Sequence, residues 1–95
     1  MKVKTNPLYK YRKIAGAHYL IPAGEEALKR EAPVELTETA AFIWRLLEEG
    51  RSLEEIAGAM TEEFEVDRER ALKAAEEFAM ALSEAGMASP VRDGR

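Results

Sequence analysis

The chain contains no cysteine, which excludes disulfides, thiolate-bound metal and cysteine redox chemistry. Its single histidine is His18, so neither a His-Cys metal site nor a Cys-His dyad can be assembled. Long apolar runs are also missing. The longest, Ala40 to Trp44 and Phe78 to Leu82, fall far short of the ~18–20 residues of a membrane span. The basic start, Met1 to Lys13, leads into no apolar signal segment. These absences predict a cytoplasmic protein with no membrane partner. The six glycines form no phosphate-cradling loop. A Ser-His-Asp site would have to join His18 to Ser52, Ser83 or Ser89, and none of these serines lies in a nucleophile elbow. A structural or solvent-facing His18 is the simpler reading. The acid pairs Glu48-Glu49, Glu54-Glu55, Glu62-Glu63 and Glu76-Glu77 fall on polar helix faces or helix ends, where solvation explains them better than acid/base catalysis does. No enzyme site and no cofactor site emerges.

What is present is 95 residues, 46% hydrophobic and 34% charged, the profile of one small globular domain. The domain is expected to span residues 1–95, with an ordered core from about residue 8 to about residue 88. The net charge of -4 conceals a division. Lys2, Lys4, Lys10, Arg12 and Lys13 meet no acid before residue 14, so that segment is +5 and the remainder is -9. Between Thr37 and Gly86 thirteen acids face five bases, a net of -8. Helices with that balance repel phosphate. The basic start reads as a solvated, partly frayed terminus, the alternative being a site for an acidic partner.

From Leu8 to Ile14 the order L-Y-K-Y-R-K-I puts Tyr9 and Tyr11 on one face of an extended chain and Lys10 and Arg12 on the other, a strand pattern. Ala15-Gly16-Ala17 supplies a turn. His18 to Ile21 is a second strand, stopped by Pro22 and Gly24, and the two form a hairpin. Glu25 to Ala32 carries Glu25/Lys29 and Glu26/Arg30 at i,i+4 spacing, yet eight residues are too few for a helix to stand alone. It is read as a loop with a helical turn. Val34-Glu35-Leu36 alternates as a third short strand. Thr37 caps a first long helix, whose apolar residues Ala40, Ile43, Trp44 and Leu47 keep i, i+3, i+4, i+7 spacing until Gly50. Ser52-Leu53-Glu54-Glu55 has the form of a capping box and opens a second, with Leu53, Ile56, Ala57, Met60 and Phe64 in one stripe. Asp67 caps a third, from about Arg68 to Ala85, closed by Gly86 with Met87 as an apolar return contact. Its apolar side is broad and mostly alanine, either for helix propensity alone or because small side chains leave a shallow groove beside the core.

The predicted fold class is therefore α+β: a winged helix-turn-helix-like arrangement of three short N-terminal antiparallel strands followed by three helices. Many DNA readers share that shape, and a DNA-binding transcription regulator is one functional alternative. Electrostatics opposes it, because Arg68 to Ala85 has no Asn or Gln and carries more acids than bases where a recognition helix needs the reverse. A structural homodimerisation module using an exposed strand edge is another.

Over Val34 to Met87 the sequence resembles the PqqD family of peptide-recognition domains. The resemblance is carried by V-E-L-T-E-T-A-A-F-I-W-R-L-L-E-E-G, R-S-L-E-E-I-A-G-A-M, E-F-E-V-D and A-L-S-E-A-G-M, and R-K-I-A-G-A-H-Y-L-I-P-A-G from Arg12 to Gly24 is similar too. The chain departs from the family pattern at Thr37, where Asn is usual, and at Met87-Ala88, where Leu is common. Both changes preserve the roles of cap and apolar anchor. The resemblance implies a non-catalytic module that binds the leader segment of a ribosomally made precursor peptide and presents it to a modifying enzyme, often a radical SAM protein. It implies that the leader adds as a strand beside Val34, Glu35 and Leu36 and lies against the third helix, with Leu72, Ala75, Glu76 and Ala79 as its contacts. Ordinary core packing is the plain alternative for Val34, Leu36 and Leu72. Pro33 has no N–H to offer a ladder, which suggests that the side of residues 33 and 35 faces outward.

Overall fold

A computed structural model describes residues 2–30 and 32–91. Its order is β1 (Val3–Thr5), β2 (Tyr9–Ile14), β3 (Ala17–Pro22), α1 (Glu25–Lys29), β4 (Val34–Leu36), α2 (Glu38–Glu48), α3 (Leu53–Glu63), α4 (Arg68–Glu84) and β5 (Ala88–Pro90). The class is α+β, with the antiparallel sheet β2-β3-β4 followed by three long helices.

Each long helix begins where a local side chain satisfies an otherwise unpaired backbone N–H. Thr37 accepts from Ala40 N at 3.1 Å and Asp67 from Arg70 N at 2.8 Å. Ser52 and Glu55 complete the capping box at 3.1 and 2.9 Å. At the end of α4, Gly86 takes φ 80. That left-handed turn lets Met87 N reach the Leu82 carbonyl at 2.8 Å and folds the Met87 side chain into the core.

The hairpin turn is built from Ala15 (φ 53) and Gly16 (φ 85), two successive left-handed residues of the I′ type that suits the twist of the flanking strands. Tyr9, Leu20 and Leu36 turn inward from the sheet onto α2 and share one buried core with Ile43, Trp44 and Leu47 of α2, Leu53, Ile56 and Met60 of α3, and Ala71, Ala75 and Leu82 of α4. Trp44 is wholly buried, and its indole N–H has no hydrogen-bond partner among the described residues. That costs about 1–3 kcal/mol, set against the ~150–250 Å² that a large aromatic ring buries.

One expectation is corrected and one made definite. The basic start is not frayed: β1 pairs antiparallel with β5, Val3 opposite Pro90 and Thr5 opposite Ala88. Val3 and Ala88 are buried, and Asn6 donates from Nδ2 to the Gly86 carbonyl at 3.1 Å. Burial of those two side chains and the added ladder outweigh the fraying entropy of a charged terminus. The helical turn expected within Glu25 to Ala32 is the short helix Glu25–Lys29, because tertiary contacts supply what eight residues lack. Tyr9 Oη donates to Glu26 Oε1 at 2.8 Å, and Lys29 pairs with Glu26 Oε2 at 3.3 Å. Arg30 donates to the Tyr9 hydroxyl at 3.3 Å, in place of the expected direct pairing with Glu26.

Candidate functional site

The geometry of the candidate edge follows from the hairpin. The residues that close a two-residue loop, Ile14 and Ala17, form a hydrogen-bonded pair, and pairing alternates from there. Residues 17, 19 and 21 of β3 therefore bond toward β2, and residues 18 and 20 bond toward β4. Since His18 lies opposite Leu36 and Leu20 opposite Val34, the N–H and C=O groups of Val34 and Leu36 point into the sheet. Those of Glu35 point the other way, off the last strand of the order β2-β3-β4. Pro33 agrees with this phase, because it leaves no missing donor on the β3 side.

Side-chain direction alternates as well. Leu36 is buried and Val34 half-buried on the inner face, and Glu35 is exposed on the outer one. Next to Leu36 across the ladder, the half-buried His18 holds its Nδ1 2.7 Å from the Tyr11 hydroxyl, with the rings stacked. Arg45 of α2 lies 5.7 Å from the centre of the Tyr11 ring. His18 is thus engaged with an aromatic neighbour, and no group of three or more His, Cys, Asp or Glu side chains among the described residues can hold a metal ion.

The predicted helix residues divide by face. Ala75 is completely buried and Ala79 nearly so, Leu72 is half-buried against the core, and Glu76 is exposed. Glu76 and Ala79 line a groove of about 330 Å³ whose other walls include Val3, Leu53, Met80 and Pro90. That groove opens beside β1, β5 and the start of α3. β4 packs against β3 and α2, so the two predicted halves of the site meet different neighbours.

The Glu26 cluster was not foreseen as a polar core element. Glu26 is buried, and its carboxyl is held below the usual range chiefly by the hydrogen bond from Tyr9, with Lys29 and Arg30 adding to the effect and burial opposing it. The cluster joins α1 to β2, and α1 leads back to β4. The alternating Tyr9 and the i,i+4 pairs were visible signals, but not their meeting.

Two solved structures are similar over nearly the whole chain. One is a lasso peptide synthetase B1 complexed with the leader peptide, at 26% identity and a TM-score of 0.77, covering 95% of this chain and 100% of that one. The other is TbiB1 in complex with the TbiA(beta) leader peptide, at 26% identity and a TM-score of 0.76, covering 95% and 99%. No curated protein sequence matches. The family model for coenzyme PQQ synthesis protein D matches residues 27–88, from the last turn before the edge strand through all three long helices to the start of β5, and on that match the chain belongs to the PqqD family.

Proposed function

We propose that this protein is a non-catalytic recognition module. It binds the leader segment of a ribosomally made precursor peptide as an added strand on β4 and presents the peptide to a separate modifying enzyme. The observation that carries the reading is the outward-facing N–H and C=O of Glu35 on a strand that, among the described residues, has no neighbouring strand on its far side. An extended peptide satisfies both groups, and the half-buried Val34 offers apolar surface to one of its side chains. Family membership and two structural relatives seen with leader peptides support leader-peptide binding. The module would act by raising the local concentration of substrate at its partner enzyme.

The test uses peptides encoded by short reading frames near the gene, titrated calorimetrically into the purified protein, with Glu35→Pro as the edge variant. Binding to the wild type that Glu35→Pro weakens about fivefold or more, as expected for one lost hydrogen bond, supports the reading. Equal affinity in a folded Glu35→Pro protein rejects strand addition at β4. A sample that modifies or cleaves the precursor with no second protein present overturns the non-catalytic role.

A further inference from the structure

Charge is distributed unevenly across the outer face of the three-stranded sheet. One row runs Arg12, Tyr19, Glu35 across β2, β3 and β4. Tyr19 separates the two charges by two strand spacings, about 9–10 Å, too far for contact. Glu35 is exposed and, among the described residues, makes no ion pair. The sheet is thus basic along β2, with Lys10 and Arg12 on this face, and acidic at its open edge.

Resting on the strand-addition reading, we propose that the recognised leader segment carries a lysine or arginine directly beside Glu35, flanked by apolar residues, in an apolar–basic–apolar order. A strand added to β4 places its in-register residue on the same face as Glu35 whether it runs parallel or antiparallel. That residue extends the row Arg12, Tyr19, Glu35 by one strand spacing, at about 5 Å from Glu35. There a cation is attracted, and an aspartate or glutamate is repelled by Glu35. Its two neighbours in the peptide turn to the inner face, beside Val34 and Leu36, where apolar side chains fit. The same polarity selects against acidic segments, a discrimination that backbone pairing alone cannot provide.

The experiment is a selection from a displayed library of random peptides about 12 residues long, enough to span a short strand at ~3.3 Å per residue with flanks, against the wild-type protein, Glu35→Lys and Glu35→Pro. Wild type is expected to enrich Lys or Arg at one fixed position between apolar residues, and Glu35→Lys to replace that residue with Asp or Glu. Resynthesised peptides should show each single charge reversal weakening binding about two- to fivefold, with the double reversal restoring it. The effect should shrink as salt is raised. If wild type and Glu35→Lys select the same peptides while Glu35→Pro loses them, the charge inference is wrong and strand addition stands. If no peptide is enriched by wild type, or Glu35→Pro selects the same set, both fail together.

Discussion

Because the hairpin fixes the hydrogen-bonding phase of β4, proline should be tolerated at one residue of that strand and rejected at the next. In Val34→Pro the lost donor is one that bonds to the Leu20 carbonyl, removing a ladder bond worth about 1 kcal/mol and leaving a carbonyl at the fully buried Leu20 without its partner, a further ~1–3 kcal/mol. At about 4–8 °C per kcal/mol for a domain of this size, Val34→Pro should lower Tm by roughly 8–32 °C. Glu35→Pro removes an N–H that points away from β3, and its extended neighbours already suit the restriction proline imposes, so Tm should stay within about 4 °C. Thermal unfolding followed by circular dichroism measures both. Equal losses, or a larger loss in Glu35→Pro, would refute the phase deduced from the Ala15-Gly16 turn and with it the direction of the open edge.

Ala15 holds a positive φ of 53, a conformation that costs an L-residue about 1–2 kcal/mol, so Ala15→Asn should form the favoured Asn-Gly turn and raise Tm by several degrees; no change would mean the strain is relieved locally. Glu26 has a carboxyl pKa below its ordinary 4.5, so the stability it contributes is fully present above that value and is lost as pH falls through the lower folded-state pKa. Tyr9→Phe removes the main cause of the shift and should flatten the acid limb of a Tm-against-pH profile below about pH 4.5, an expectation that fails if the two limbs remain parallel. Duplex DNA should not bind tightly near physiological salt, because α4 carries Glu69, Glu76, Glu77 and Glu84 against Arg68, Arg70 and Lys73; a submicromolar, sequence-specific mobility shift would favour a regulator instead.

Within the sequence, the legible features act over three or four residues. Thr37, Ser52 and Asp67 each reach a backbone N–H three positions on, so the starts of α2, α3 and α4 are local decisions, as are the glycine-closed end of α4 and the β2–β3 hairpin. The motif order that relates the chain to its family lies in the same local signals. The closing of β1 onto β5 joins residues more than eighty positions apart, and nothing in V-K-T or A-S-P announces a partner at that distance. Glu26 looks like a surface acid in sequence, and only the arrival of Tyr9 from seventeen residues away makes its burial affordable. Periodicity similarly identifies the alanine-rich side of α4 without saying what covers it: the tertiary fold places Ala71 and Ala75 in the core and turns Glu76 and Ala79 toward β1, β5 and α3. Sequence alone determined where the three long helices and the β2–β3 hairpin begin and end, because caps and turns are short-range hydrogen bonds. Which strand edge stays open and which elements the α4 flank meets were decided by packing, because both depend on contacts between segments distant along the chain.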